Sequence, residues 1–472
     1  MSHIPKFKSF WFFYRVRTFI GRLGMRDLAN SIRLPGWIPE QIRQLLTSHS
    51  AIGVLVFLVR VASAALAYLV QILFARWMGP FEYGIYIYSW TWVVIVGGLA
   101  DLGFATAAQR FLPHYRASND LSLIRGFLFT AKWFPVLSGV AVCLVCLSFL
   151  FCLRELLRES SIMPLYLACF CVPLVVLATV QDGVARAHHW VMLGLVPDFI
   201  LRPLAILTLG LIVLLLGVRL DATTAMSIAL IGVASGAIVQ RIVLSRRLSR
   251  YGAGEMQFEL RRWRKVSLPV LMFFAFYLAL TNIDIVMLDY FRKPEEVAVY
   301  YAASKTFALV AFVSFAVSTV SASRISEFSA KGQNDRIESY LAQAVRWTFW
   351  PSLAGVLLIL AIGRPLLSLF GPHFVEGYPL LFIMAIGLIA QASTGPAETV
   401  LNMQNQQTAC AQVYALSFAF SIVGCAILIP LLGGHGAALA IAGALILKSV
   451  LLFIFVKQRL SLHAFILRLP AR

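Results

Sequence analysis

The chain has 472 residues, of which 60% are hydrophobic and only 13% charged, with a mean hydropathy of +0.83. Soluble domains carry about 25% charged residues, so this composition excludes a water-soluble globular protein and calls for lipid as solvent. The formal net charge of +19 does not point to nucleic acid, because the basic residues sort to one side of the apolar segments.

A membrane-crossing helix takes roughly 20 apolar residues. Lipid offers no partner to the peptide groups of open strands, and the alternation of a membrane barrel is absent, so the expected class is all-α. Residues 1–49 come first, a basic and aromatic segment in which Phe7, Phe10, Trp11 and Tyr14 lie near helical spacing among Lys6, Lys8, Arg15 and Arg17. A helix lying on an anionic inner leaflet and a disordered basic tail both fit that pattern. No cleavable signal is expected, since no small-residue cleavage site follows the first apolar run.

Twelve apolar runs come next, at about 50–75, 83–105, 127–151, 162–180, 194–217, 223–244, 266–290, 299–321, 347–369, 379–400, 412–432 and 434–457. Residues 50–244 form a predicted first lobe of six spans. A basic linker at 245–265 contains Ser245-Arg246-Arg247 and Arg261-Arg262-Trp263-Arg264-Lys265. Residues 266–457 form the second lobe, and 458–472 a tail. With the N-terminus inside, and with the span-end residues Arg241, Arg364 and Lys457 counted with the adjoining loops, 28 of the 40 Lys and Arg residues fall on the inner side, 7 on the outer side and 5 within spans. This asymmetry places both termini in the cytoplasm. Pro135, Pro173, Pro197, Pro203, Pro269, Pro351 and Pro396 interrupt spans. Proline breaks the hydrogen-bond ladder and kinks a helix, which suits a bundle that moves.

One pattern recurs at an offset of 214 residues: Pro80-Phe81-Glu82-Tyr83-Gly84-Ile85-Tyr86, then Pro294-Glu295-Glu296-Val297-Ala298-Val299-Tyr300. The same offset pairs Arg110 with Arg324. The recurrence predicts an internal duplication. Six spans per half make the halves parallel repeats related by an axis along the membrane normal. Cys143 and Cys146 form a CxxC in mid-span without a second ligand cluster, so cysteine reads as an apolar filler. His188-His189 reads as a loop pair, and no cofactor or metal is expected.

The segment Ala75-Arg76-Trp77-Met78-Gly79-Pro80-Phe81-Glu82-Tyr83-Gly84-Ile85-Tyr86 resembles the first outer loop of bacterial polysaccharide (O-antigen-type) flippases. Asp101-Leu102-Gly103-Phe104 with Arg110-Phe111-Leu112-Pro113 resembles the end of their second span. Asp284 through Leu288, Glu296 and Tyr300-Tyr301-Ala302-Ala303 resemble their seventh and eighth spans, and Leu369-Phe370-Gly371 and Gly436-Ala437-Ala438 also fit. The resemblance covers roughly residues 50 to 455 and is to the polysaccharide transport branch of the multidrug/oligosaccharidyl-lipid/polysaccharide exporter superfamily. It implies twelve helices in two lobes around a cationic cavity, and flipping of an undecaprenyl-pyrophosphate-linked oligosaccharide across a bacterial inner membrane. Expected partners are that lipid-linked oligosaccharide, anionic inner-leaflet lipid, a polysaccharide polymerase and chain-length proteins, and no nucleic acid. Ala298 departs from the pattern, where the first repeat has Gly84 and the family usually has glycine.

A flippase must give sugar hydroxyls and phosphates a polar path, because lipid cannot hydrogen-bond them. Ionisable groups in mid-span are therefore candidates by default. Arg60, Lys132, Arg202, Lys305 and Lys448 are the five bases within spans once the span-end residues are set aside. Snorkelling accounts for Lys132, and an ion pair with Asp198 accounts for Arg202; Lys448 is left open. Arg60 shares a helix face with Ser63, Ala64, Ala67 and Gln71. It could hold a pyrophosphate bidentately, or it could pair with Asp101. Asp284 and Lys305 lie equally far from the loop between spans seven and eight. They could form an ion pair that staples two helices or that opens during transport. Thr281 and Tyr277 continue the Asp284 face, and Tyr301 stands one turn from Lys305. The candidate substrate-binding residues are Arg60, Gln71, Lys305 and Tyr301; the gating or coupling candidates are Asp284, Asp101 and Thr281. Competing functions are a multidrug or lipid II exporter of the same superfamily and a membrane polymerase or glycosyltransferase. The enzymes would need acidic groups gathered in a large outer loop, and none is long enough here.

Overall fold

The computed structural model describes residues 49–466 except Gly332 and Asn405. Every regular element among them is helical: α1 His49–Ala100, α2 Phe104–Ala117, α3 Leu121–Cys152, α4 Glu159–Ala187, α5 Val191–Val196, α6 Arg202–Leu215, α7 Ala222–Leu248, α8 Leu260–Leu280, α9 Ile283–Phe291, α10 Pro294–Ala330, α11 Asn334–Ser368, α12 Tyr378–Ser393, α13 Ala397–Met403, α14 Gln407–Leu432 and α15 Gly434–Leu460. The basic residues read as a surface helix or tail, 1–48, lie outside the described residues.

Eleven helical stretches among the described residues are long and apolar enough to cross a membrane. The first, Val59–Ala117, is 59 residues long, which at 1.5 Å per residue exceeds twice the roughly 30 Å hydrocarbon core. It turns at Gly79, whose φ of 78° and ψ of 169° leave the helical region just before Pro80. Two crossings therefore share α1, and the count is compatible with the twelve expected. The protein is an all-α polytopic bundle of two six-helix lobes.

The duplication is visible in two equivalent glutamates, each set against the start of a later helix. Glu82 Oε2 accepts from the Ala222 backbone N–H at 2.9 Å, which satisfies an orphan donor at the start of α7. Its repeat partner Glu296 reaches the start of α15: a Cβ on Gly433 would collide with Glu296 Oε2, and Gly433 holds a φ of +56°. In each lobe, a glutamate at the start of the second span thus meets the start of the sixth.

The lobes meet tightly at the Pro80/Pro294 end. A Cβ on Gly84 would overlap the Pro294 carbonyl oxygen, so only glycine permits this approach. Ala298, at the repeat position, is fully buried. Tyr83, also fully buried, packs edge-on against Tyr301 and Phe374 at centroid distances of 6.3 and 6.1 Å. The Tyr68 hydroxyl and Thr306 Oγ1 hydrogen-bond between lobes at 2.9 Å.

At the opposite end the linker is docked rather than loose. The Gln257 N–H donates to the Ser122 carbonyl at 3.1 Å, and Tyr115 donates to Glu259 Oε2 at 2.6 Å. Trp263, 1% exposed, donates to the Tyr115 hydroxyl at 2.8 Å and packs on Phe127.

Candidate functional site

Two spans of the second lobe are broken in mid-course. Span seven stops at Leu280 and resumes as α9 at Ile283. Span ten stops at Ser393, bends at Gly395 with a φ of +54°, and resumes as α13 at Ala397. Each restart places a carboxylate in the first helical turn, Asp284 in α9 and Glu398 in α13, where the helix dipole favours a negative charge. Interrupted spans whose half-helix ends point inward are how many transporters build their sites.

Both carboxylates face one cavity of about 620 Å³. Each receives a tyrosine hydroxyl from sixteen residues further on. Tyr300 donates to Asp284 Oδ2 and Tyr414 to Glu398 Oε2, both at 2.6 Å. Asp284 Oδ1 also accepts from the Ile285 N–H at 3.0 Å. Lys305 and Lys448 line the same wall. Lys305 Nζ lies 4.7 Å from the Tyr301 ring centroid, and Lys448 Nζ 5.4 Å from that of Tyr414.

The expected ion pair between Asp284 and Lys305 is not formed. Both residues line the cavity, but the buried carboxylate is held by Tyr300 and the ammonium rests on an aromatic face. Equal depth on adjacent helices put the two in one chamber; side-chain direction decided their partners. Thr281 joins them in the lining, with its hydroxyl turned back to the Tyr277 carbonyl at 2.9 Å.

The other candidates sit elsewhere. Arg60 lies between lobes, with its guanidinium 4.2 Å from the Phe199 ring of the first lobe and 5.5 Å from the Phe315 ring of the second. Phe199 belongs to a π-helical turn, Pro197–Leu201, a distortion frequent at functional sites. The alternative pairing of Arg60 with Asp101 does not occur: Asp101 is buried and accepts from the Gly103 N–H at 2.8 Å. There it holds the bend between α1 and α2, where Leu102 and Gly103 take φ values of 49° and 74°. Gln71 accepts the Tyr83 hydroxyl at 2.8 Å, and Tyr301 is 7% exposed against Tyr83; both belong to the closed seam. Arg202 pairs with Asp198 at 2.6 Å, as its spacing predicts.

Glu398 and Tyr414 were not among the sequence candidates. The available signal was a glutamate two residues after Pro396 in an apolar run, a span-breaking proline followed by an acid.

This two-lobed bundle, with broken spans around an internal polar chamber, is the architecture of a multidrug/oligosaccharidyl-lipid/polysaccharide superfamily transporter. The chain belongs to the family described as polysaccharide biosynthesis protein, which matches residues 52–329, and the MatE family matches residues 269–427. No curated protein matches it in sequence. Among solved structures, an inward-facing multidrug resistance MATE transporter is similar at a TM-score of 0.68 and 14% identity, over 86% of this chain and 98% of the other. The lipid II flippase MurJ in an inward closed conformation is similar at 0.68 and 15% identity, over 86% and 88%. A superfamily transporter from Pyrococcus furiosus, described as having a binding pocket of reverse polarity, is similar at 0.65 and 14% identity, over 86% and 94%. At such identities the likeness establishes the fold.

Proposed function

We propose that this protein flips an undecaprenyl-pyrophosphate-linked oligosaccharide from the inner to the outer leaflet of a bacterial inner membrane, by alternating access between its lobes. In this reading both termini are cytoplasmic, the Pro80/Pro294 end faces outward and is closed, and the chain performs no chemical conversion. The observation that carries the reading is Arg60. Its guanidinium lies between the lobes against two aromatic rings, with no carboxylate at ion-pairing distance among the described residues. A planar guanidinium can engage a pyrophosphate through two parallel hydrogen bonds. Lys305 extends the basic path, Gln71 and Tyr301 hold the outer seam, and Asp284, Thr281 and the Asp101 bend supply the gating elements. Glycan polymerase, chain-length proteins and anionic inner-leaflet lipid are the proposed partners.

The test is flipping of a lipid-linked oligosaccharide by the full chain in proteoliposomes. Arg60→Ala should abolish flipping while insertion and folding stay normal. Arg60→Lys should restore it only in part, since an ammonium cannot reproduce the bidentate grip. Flipping at the wild-type rate by Arg60→Ala would overturn the pyrophosphate role.

One observation favours a second reading: Asp284 and Glu398 in the same chamber could receive a cationic drug. Efflux of a cationic dye, abolished by Glu398→Gln and unaffected by Arg60→Ala, would select a multidrug exporter instead.

A further inference from the structure

The second-lobe chamber has an unequal supply of hydrogen-bonding groups. Asp284 and Glu398 already receive Tyr300 and Tyr414. Lys305 and Lys448 receive nothing comparable. Neither ammonium has a hydrogen-bond acceptor or carboxylate within bonding distance among the described residues, and each rests on a tyrosine ring. Lys448 is only 6% exposed and lines the chamber. An ammonium carries three donors and no acceptor, and a buried charge left without partners is costly. Each ammonium is therefore left without an acceptor of its own, which a ligand can supply.

Two further features narrow the ligand. Asp284 and Glu398 keep free lone pairs beside the ammonium groups, and Gln391 adds an amide to the lining. These accept hydrogen bonds, so the ligand must also carry donors. The Tyr277 and Tyr414 rings stand edge-to-face at 5.8 Å in the same wall, which suits the apolar C–H face of a pyranose. A pyrophosphate has anionic oxygens but no donors, and it would meet two carboxylates. A neutral sugar has donors and acceptors but no negative charge to set against either ammonium. A hexuronic acid has a carboxylate, several hydroxyl donors and a C–H face. The volume of about 620 Å³ lies within the ~300–1,000 Å³ range of small-molecule sites.

We propose that the second-lobe chamber is a subsite for an acidic sugar of the cargo, a hexuronate whose carboxylate is drawn to Lys305 and Lys448. The inference rests on the flippase reading and adds its substrate class: a glycan containing a uronic acid. The diphosphate and the sugar carboxylate are then read by different lobes, Arg60 serving the first and the two lysines the second.

The experiment is a thermal-shift titration of the full chain in detergent, with glucuronate, glucose and inorganic pyrophosphate as probes. A ligand that binds only the folded state raises Tm with concentration. Glucuronate should raise Tm and glucose should not. Lys448→Met and Lys305→Met should each weaken the glucuronate effect at least ten-fold, and Lys448→Arg should retain it. If Lys448→Met does not fold, Lys305→Met, whose side chain is partly exposed, decides. Equal shifts with glucose would make this a neutral-sugar site and overturn the proposal. So would protection by pyrophosphate through the two lysines without protection by glucuronate, which would assign the anion to the lipid diphosphate. Unchanged glucuronate binding in Lys305→Met also overturns it. Failure of the wild type to flip any lipid-linked oligosaccharide would instead remove the flippase reading; flipping without glucuronate binding removes only this inference.

Discussion

The Tyr300 hydroxyl donates to the Asp284 carboxylate at 2.6 Å, and both side chains are buried. This bond gives Asp284 a neutral partner where its depth in the bundle suggested Lys305. The consequences for mutation differ from those of an ion pair. Truncating one member of a buried pair leaves an uncompensated charge, at about 3–5 kcal/mol. Lys305→Met should therefore spare membrane protein level and lower flipping, because no buried carboxylate depends on it. Tyr300→Phe should destabilise by about 1–3 kcal/mol, the cost of leaving a buried acceptor unmet. Quantifying both variants by immunoblot and thermal melting checks this; a Lys305→Met protein that vanishes from the membrane would restore the ion-pair reading.

Glu82 and Glu296 test the duplication. Glu82→Ala removes the acceptor for the Ala222 N–H and should cost about 0.5–2 kcal/mol, as for other N-terminal helix caps. Gly433→Ala should be at least as harmful. It adds a Cβ that collides with Glu296 Oε2, at a positive φ. Melting curves of both variants should fall, and an unchanged Tm for either would show that the helix start tolerates the change in that lobe.

Gly84 sets how closely the lobes approach. Gly84→Leu should prop the Pro80/Pro294 end open, since even a methyl group would overlap the Pro294 carbonyl. Pro80 and His373 border the same two surface clefts there. Disulfide cross-linking between Pro80→Cys and His373→Cys should be efficient on the Gly84 background and weak with Gly84→Leu. Equal cross-linking in both would mean that the seam tolerates the side chain.

His188 predicts a pH effect at the loop end. It is buried, stacks on Trp190, and bonds the Val184 carbonyl and the Tyr251 hydroxyl of the linker. Burial is the main cause that pushes its pKa down, to about 4. The unfolded chain then binds the extra proton between pH ~6.5 and about 4, so stability rises with pH across that window. The neutral-imidazole contribution, at most about 3 kcal/mol, is complete above pH ~6.5 and lost as pH falls. The Tm of the wild type should drop between pH 7 and pH 5 by more than that of His188→Gln. Parallel curves would assign the acid sensitivity to other groups.

Composition and residue order by themselves determined the class of the fold, its repeat and the depth of its polar groups. Lipid cannot satisfy open peptide groups, so the apolar runs had to be helices. A 214-residue offset pointed to repeated units, and the glutamates it pairs, Glu82 and Glu296, do meet equivalent helix starts. The spacing of Asp198 and Arg202 predicted their ion pair, because four residues make about one helical turn. Asp284, Thr281 and Lys305 share a chamber because they lie at similar distances from one loop.

Tertiary structure decided everything that depends on rotation about a helix axis and on which helices break. Counting residues from a loop gives depth without direction, so it could not tell that Tyr300 would take Asp284 or that Asp101 would serve a bend. Nor could it bring Glu398 and Lys448 into the chamber, since they lie fifty residues apart on spans ten and twelve. Those contacts exist because α13 restarts after Gly395 and α15 packs beside it, and packing of distant helices leaves no periodic trace in the chain.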